Sequence, residues 1–268
     1  MASESCDDVL YIRTVQANVF SLLNEALKDI LYEVNFEFTD EGITIKAIDS
    51  SHSQFVHLNL IANKFDKYIC KEKVVLGIDM IYLHRLLKGA SNDDVLIFTY
   101  SHNNTSELGI QIHNDDNGII KEYELKLLDI DIQQHQTLPL SDNDATVLMN
   151  IDTQRFKAIC KDLGNISDTV ELTCTGNELR FNCNGTSAKG SQVIKLNSKN
   201  PKAYISKYQE DVIQGIFSLK TLYHFTKFSS LCSTLELCFA NDKPLRIKYS
   251  CADLGYICLY LAPFIEDC

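Results

Sequence analysis

Four segments of the chain have their apolar residues on a single helical face. In each segment apolar side chains recur three and four residues apart, which predicts amphipathic helices. Much of the remaining sequence alternates apolar and polar residues over short runs, as in Leu245, Ile247 and Tyr249, and this pattern predicts strands. The helical segments are residues 15–30, 79–91, 153–166 and 218–228.

These segments are two copies of one pair. Residues 77–100 align with residues 216–239 without a gap, and each stretch runs from a helical pattern into a period-two pattern. The first and third segments also correspond at one offset, which matches Phe20 with Phe156. We therefore predict an internal duplication. Because predicted strands flank every helix, the sequence favours an α+β fold built from antiparallel meanders.

A polar segment separates the two copies. Residues 133–145 contain the helix breaker Pro139 and few apolar residues, which is typical of an interdomain connector. The residues alone leave open whether Leu138 and Leu140 hold this connector on the surface or line a partner groove. We predict an N-terminal domain over residues 1–126, a connecting loop over 127–144 and a C-terminal domain over 145–268.

Composition limits the chemistry that the chain can perform. The ten cysteines form no C-x-x-C pair, and neither a secretory signal nor a membrane-length apolar run is visible. We therefore expect a soluble intracellular protein with reduced cysteines, no metal and no cofactor. No phosphate-binding, nucleophile-elbow or zinc-protease motif occurs, and His52 has no relay partner at usable spacing. The sequence therefore favours binding over catalysis.

Charge is unevenly distributed along the chain. The net charge of −11 by itself disfavours nucleic-acid binding. The four helical segments carry −1, +1, +2 and +2 in chain order, a sum of +4, so the remaining residues carry −15. Such segregation allows a basic DNA-facing surface, although a solvated lysine-rich face explains it equally well.

Several stretches resemble one known family. They are similar to proliferating cell nuclear antigen, the family of eukaryotic-type DNA sliding clamps, and the matches follow in order along nearly the whole chain. The most specific are GITIKAIDSSHSQFVHLNL (42–60), FSLKTLYHFTKFSSL (217–231) and PLRIKYSCADLGYICLYLAPFIED (244–267).

The resemblance implies the DNA-clamp fold. Two topologically similar domains, each with two helices packed on antiparallel sheets, would assemble head to tail into a homotrimeric, pseudo-sixfold ring. Neighbouring subunits would join by pairing of edge strands, one in residues 118–126 and the other in residues 185–196. The implied interface residues are Ile120, Tyr123, Leu125, Val193 and Lys195.

The family's function then becomes the expectation for this chain. The ring would encircle duplex DNA as a non-enzymatic processivity factor, in the nucleus or at a viral replication site, and tether DNA polymerase, the clamp loader and other replication and repair proteins. Sliding requires cations that contact phosphates without reading bases. The matching basic residues are Lys28, Arg85, Lys88, Lys157, Lys161, Lys220 and Lys227.

Partners of this family carry a PIP-box, a short motif that inserts an apolar plug into a pocket. The residues that match this pocket are Ile48, His52, Leu138, Pro139, Pro244, Tyr260, Leu261 and Ala262. By themselves, Tyr260 and Leu261 favour ordinary core packing near the C-terminus over a role in a pocket.

The sequence departs from the family pattern at two places. Ser21 and Leu22 stand where adjacent lysines are usual, so the first helix should attract DNA weakly. Gly176 stands where eukaryotic relatives carry a lysine that is modified, so signalling through that position is not expected here.

Three other interpretations remain open. The chain could be a checkpoint-type clamp subunit that works only in a heteromeric ring, or a monomeric polymerase accessory factor that does not encircle DNA. A hydrolase using the acidic loops is the remaining alternative, and it would need a converging pair of buried carboxylates.

Overall fold

The computed structural model describes residues 8–49, 51–114, 118–131, 145–196, 203–209 and 212–264. These residues divide into two compact units, named unit 1 and unit 2. As far as their residues are described, unit 1 comprises Met1–Ala47, His57–Gln134 and Cys251–Tyr256, and unit 2 comprises Ile48–Val56, His135–Ser250 and Ile257–Cys268. Within the described ranges, no helix is long and apolar enough to cross a membrane.

Each half of the chain forms nine strands and two α-helices over its described residues. The first half contains β1 (Asp8–Thr14), α1 (Ala17–Leu27), β2 (Glu33–Thr39), β3 (Gly42–Ile48), β4 (Gln54–Ile61), β5 (Lys67–Cys70), β6 (Val74–Asp79), α2 (Met80–Leu87), β7 (Asp94–Ser101), β8 (Asn104–Asn114) and β9 (Ile119–Lys126). The second contains β10 (Val147–Asp152), α3 (Thr153–Gly164), β11 (Thr169–Thr175), β12 (Glu178–Asn184), β13 (Lys189–Lys195), β14 (Ala203–Tyr208), β15 (Ile213–Ser218), α4 (Leu219–Phe225), β16 (Thr234–Phe239), β17 (Leu245–Cys251) and β18 (Gly255–Leu261). Two short 3-10 helices, Ala62–Lys64 and Thr226–Ser230, complete this list.

The predicted duplication is confirmed, because the two halves have the same element order and the same strand pairing. α3 begins at Thr153, 136 residues after Ala17 begins α1, and α4 begins at Leu219, 139 residues after Met80 begins α2. In the first half, five strands follow the order β5-β1-β7-β8-β9, and in the second half the corresponding strands follow the order β14-β10-β16-β17-β18. Likewise, β2 of the first half lies between β3 and β6, and β11 of the second half lies between β12 and β15.

The helices pack their apolar faces into the core of their own unit. In unit 1 the Phe20 ring lies 5.5 Å from the Phe98 ring, and in unit 2 the Phe156 ring lies 6.1 Å from the Phe181 ring. These four side chains are nearly inaccessible to solvent. Burial of each such ring contributes roughly 1.5–3 kcal/mol, so the predicted apolar stripes are what fix the helices on the sheets.

Side-chain caps decide where the helices begin. The Asp79 carboxylate accepts from the amide of Ile81 at 2.9 Å, and the Asp152 carboxylate accepts from the amide of Arg155 at 2.9 Å. The Ser218 hydroxyl caps α4 in the same way. Each capping residue satisfies an amide that has no partner inside the helix. Asp79 and Ser218 therefore lie just outside the helices that the sequence predicted to include them.

The predicted first helix is too long at both ends. The amide of Val15 donates to the Asp66 carboxylate at 2.8 Å and the amide of Gln16 donates to the Thr14 hydroxyl at 3.1 Å, so both residues belong to the preceding turn. α1 ends at Leu27, not at Ile30. α2 also ends early, because Lys88 is extended and Gly89 has φ of 97°. This left-handed conformation is one that glycine adopts without a steric penalty.

Candidate DNA-binding and protein-binding surfaces

The cations of α2 lie on the face opposite its buried residues. Met80, Leu83 and Leu87 are buried, whereas Arg85 and Lys88 are exposed. The Arg85 guanidinium lies 5.0 Å from the centroid of the Tyr82 ring, and Tyr82 is itself 55% exposed. Such stacking restrains an arginine while its N–H groups stay accessible. α2 therefore presents two cations to solvent.

Lys28, the cation that directly follows α1, is neutralised by an ion pair with its neighbour in the chain. The Lys28 ammonium lies 3.1 Å from Asp29 Oδ1, and both side chains are only about a quarter exposed, at 25% and 27%. Nearby on α2, partial burial and the charge of Lys28 lower the pKa of His84, so His84 adds no positive charge at neutral pH. The Lys28–Asp29 ion pair agrees with the prediction that the first helix attracts DNA weakly.

The helices of unit 2 and the 3-10 turn after α4 carry four of the seven predicted cations. Lys161 on α3 and Lys220 on α4 are exposed, and Lys157 and Lys227 are half-buried. α3 packs against α4 and the 3-10 turn that follows it, so these lysines belong to one packed group of helices. All seven predicted DNA-contacting cations are thus on or next to helices, and none is fully buried.

Arg155 is a cation that the sequence analysis counted but did not assign to a site. Its Nη2 donates to the main-chain oxygen of Val193 on β13 at 3.4 Å, and the side chain is exposed. Arg155 therefore links the first turn of α3 to an edge strand. The signal that could have found it is its position at the start of one of the two most basic helical segments.

Both predicted interface segments are edge strands. β9 ends the sheet that begins with β5, and β13 ends the order β13-β12-β11-β15. Ile120 is 56% exposed and Lys195 is exposed, whereas Tyr123 and Val193 are half-buried. Leu125 is only 5% exposed and lies opposite Leu108, so its side chain packs in the core of unit 1. Leu125 can therefore offer a partner its main chain but little of its side chain.

The duplication gives these two edges particular counterparts. β9 occupies the place in its half that β18 occupies in the other, and β13 corresponds in the same way to β4. Inside unit 2, residues of β18 and β4 lie side by side, and the Ala262 amide donates to the Ser53 carbonyl at 2.9 Å. β9 and β13 are therefore edge strands whose counterparts in the other half, β18 and β4, are neighbours in a sheet.

His52 is held close to Asp49, because its amide donates to the Asp49 carbonyl at 3.0 Å. The Asp49 carboxylate accepts from the Gln54 amide at 2.6 Å and also from the amide and hydroxyl of Ser51. Partial burial opposes ionisation of Asp49, but these hydrogen bonds outweigh it and lower the pKa of the carboxyl. His52 is exposed at φ of 55°, a left-handed conformation that is uncommon for residues other than glycine.

The remaining predicted pocket residues differ widely in exposure. Tyr260 and Leu261 are 1% and 2% exposed, so in the isolated chain both side chains belong to the core. Burial raises the pKa of Tyr260, whose ring packs 5.5 Å from that of Phe55. Ile48 and Pro244 are half-buried and Ala262 is exposed, whereas Leu138 and Pro139 lie outside the described residues.

A partly buried ion pair lies beside Tyr260. Arg246 is 5% exposed, and its Nη2 lies 2.9 Å from Glu236 Oε1. The same guanidinium is close enough to oppose the rise in the pKa of Tyr260. This partly buried pair adds polarity next to the predicted pocket, and replacing Glu236 would remove the carboxylate that faces the buried Arg246 guanidinium.

The described cysteines are free thiols. Burial raises the pKa of Cys160 and of Cys174 to about 12, so neither forms a reactive thiolate at neutral pH. Among the described residues, no group of three or more His, Cys, Asp or Glu side chains could hold a metal ion.

Comparison with known proteins agrees with the duplicated architecture. Residues 9–136 match the model of the proliferating cell nuclear antigen N-terminal domain, and residues 137–264 match that of its C-terminal domain. Proliferating cell nuclear antigen of Chaetomium thermophilum is 32% identical over 261 residues, which cover 97% of this chain and 99% of the relative.

Two repeated α+β units together with these matches define a DNA sliding clamp, a processivity factor of DNA replication without enzymatic activity. The chain belongs to the proliferating cell nuclear antigen family. Members of this class form homo-oligomeric rings that encircle DNA and work with polymerases. The predicted α+β clamp fold and the predicted function as a DNA sliding clamp are therefore confirmed.

Proposed function

We propose that three copies of the chain form a head-to-tail ring through β9 of one subunit and β13 of the next. The observation that carries this proposal is the correspondence of these two free edges to β18 and β4, which are sheet neighbours. The exposed charged side chains of β13 are cationic, Lys189 and Lys195, whereas those of β9 are of both signs, with Glu122 and Glu124 beside Lys121 and Lys126. Alignment of the β9 glutamates with the β13 lysines would favour one register of pairing.

Within this ring, the helix cations contact DNA phosphates without reading the sequence. The proposed set is Lys28, Arg85, Lys88, Lys157, Lys161, Lys220 and Lys227. Phosphate contacts that are individually weak and equivalent along the duplex allow the ring to slide. The charge of −15 on the remaining residues keeps DNA away from other surfaces.

Partner proteins dock through PIP-box motifs beside His52 and Ala262. The hydrogen bonds that join Asp49 to the Gln54 and His52 amides support this proposal, because they hold the main chain at and beyond the exposed His52. DNA polymerase, the clamp loader and other replication and repair proteins are the proposed partners, and the nucleus is the proposed location. The proposed divisions are an N-terminal domain over 1–126, a connecting loop over 127–144 and a C-terminal domain over 145–268.

Light scattering tests the ring directly. We expect a mass three times the 30.4 kDa of the chain at micromolar concentration. The variant Ile120→Asp places a charge on the β9 edge and should shift the mass to that of the monomer. Val212→Asp is the control, because Val212 is 49% exposed and lies outside both edge strands. A monomeric wild-type protein would contradict the homotrimer.

Encirclement has its own test. A ring loaded on closed circular DNA should stay bound after high-salt washing and should be lost when the circle is cut. Retention on the cut DNA would instead favour an accessory factor that binds without encircling.

A further inference from the structure

The segment that leaves β9 is attached to the edge of β6. The Leu128 amide donates to the Gly77 carbonyl at 2.8 Å, and the two residues form an isolated antiparallel bridge. Just before it, the Leu127 amide donates to the Ser106 carbonyl at 2.9 Å. β6 is the end strand of its sheet, so its outer edge is available for such a contact.

Gly77 is the residue that lets this segment approach so closely. A Cβ at this position would lie 2.2 Å from the Leu128 carbonyl oxygen and 3.1 Å from Ile130 Cδ1. The first distance is far inside van der Waals contact, and the obstructing atom is main chain, which cannot turn away as a flexible side chain can. Any side chain at position 77 would therefore displace the segment from β6.

The side chain of Asn35 contacts the same segment. It lies directly opposite Gly77 in the β2–β6 pair. Its Nδ2 donates to the Ile130 carbonyl at 3.1 Å and lies 3.4 Å from the Asp131 carbonyl. The carboxamide thus holds two successive main-chain oxygens of the segment, two and three residues beyond the bridge.

The same edge contact occurs in unit 2 without the carboxamide. The Phe264 amide donates to the Ile216 carbonyl at 2.8 Å. Ile216 and Phe264 occupy the repeat positions of Gly77 and Leu128, at the offsets of 139 and 136 that also relate the helices. The residue opposite Ile216 is Glu171, which is turned to Asn182 of β12 instead. The docking edge is a repeated feature, and the Asn35 clamp is particular to the first copy.

We propose that Gly77 and Asn35 form a docking site that positions the start of the connecting loop for partner binding. This role rests on the proposed function, which assigns Leu138 and Pro139 to the PIP-box pocket. Leu138 follows Asp131 by seven residues. Holding the chain at Asp131 limits the positions that Leu138 can take and so reduces the entropy lost on binding. Asn35 acts on the partner only through the segment that it holds and is a positioning residue.

Asn35→Ala tests both halves of this proposal in the full-length protein. Hydrogen exchange of the Leu128 amide reports docking, and the affinity of a synthetic PIP-box peptide reports partner binding. We expect about tenfold faster exchange and about tenfold weaker peptide binding, because two hydrogen bonds to the segment are lost. Asn35→Asp should behave like Asn35→Ala, since a carboxylate has the same shape but cannot donate.

Glu171→Ala is the matched control, because it alters the equivalent position of the other copy. It should leave Leu128 exchange and peptide affinity unchanged, and every variant should keep the oligomeric mass and thermal midpoint of the wild type. Unchanged Leu128 exchange in Asn35→Ala would overturn the docking site, and faster exchange with unchanged affinity would overturn its positioning role. A wild-type protein that binds no PIP-box peptide would overturn partner binding and the positioning role, while exchange still decides docking.

Discussion

The two units have the same fold but differ in the charges that their helices carry. In unit 1 the only cation of the first helical segment, Lys28, is paired with Asp29 at 3.1 Å, and two accessible cations remain on α2 and its cap. In unit 2 the corresponding helices carry Lys157, Lys161, Lys220 and Lys227. A duplication preserves the buried faces that the fold needs, while the solvent-facing residues diverge.

This difference indicates that the DNA contacts of the ring are unequal. The two helical segments of the first copy sum to zero charge and those of the second to +4. Phosphates beside the second pair therefore meet a more favourable potential. A ring of six similar helix pairs would then consist of alternating strong and weak contacts.

Removing the exposed lysines of unit 2 should have the largest effect on DNA binding. Each phosphate contact releases about 0.9 of a counterion, which corresponds to roughly tenfold in affinity near 0.1 M salt. We expect Lys161→Ala with Lys220→Ala to weaken binding to a short linear duplex about a hundredfold. Fluorescence anisotropy at several salt concentrations measures both this loss and the expected reduction of the salt slope by about two.

The matched variant in unit 1 is Arg85→Ala with Lys88→Ala, which removes the same charge from α2 and its cap. We expect the affinity for the duplex to fall only about tenfold, because the two helical segments of the first copy carry no net charge. Equal losses for the two double variants would contradict the inequality of the units.

The sequence was sufficient to predict what depends on local periodicity. The helices and their repeat offset are confirmed, because each depends on residues near one another in the chain. The predicted N-terminal end of α1 was wrong, because the carboxylate of Asp66, 51 residues away, accepts a hydrogen bond from the Val15 amide. A contact at that separation leaves no periodic signal.

The candidate sites show the same limit. Exposure of Arg85 and Lys220 follows from helical phase, and the edge position of β9 followed from the family resemblance. The pairing of Lys28 with Asp29 could have been noticed from their adjacency. The contact between Asn35 and Ile130 could not, since 95 residues separate them and only the folded sheet brings them together.

Acid should destabilise unit 1 through a residue that unit 2 lacks. His57 is 8% exposed, and burial, with a smaller effect of Lys46, lowers its pKa from 6.5 to about 4. The unfolded chain therefore takes up a proton below pH 6.5 that the folded chain does not, so stability falls as the pH drops from about 6.5 to about 4. We expect a loss of about 2 kcal/mol, less than the full shift because the ring is not wholly desolvated.

Urea unfolding at pH 7.5, 6 and 4.5 and one protein concentration measures this loss. His57→Phe keeps an aromatic ring against Tyr256, which lies 5.9 Å from His57, but cannot titrate. It should lose less stability than the wild type over the same interval. Parallel pH dependence of the two proteins would show that other groups carry the effect. The position equivalent to His57 in unit 2 is Val193, so no matching loss is expected there.

Freeing Lys28 should produce the smallest effect and make the two units more alike. Asp29→Asn keeps the shape of the side chain but removes the charge that pairs with Lys28. We expect duplex binding to strengthen about two- to fivefold, because the ammonium becomes available to a phosphate but stays partly buried. Glu25→Gln removes the same charge from the exposed face of α1 and leaves the ion pair intact. If both variants strengthened binding equally, net charge and not the release of Lys28 would explain the gain, and the weakness of unit 1 would lie in its acidic surface as a whole.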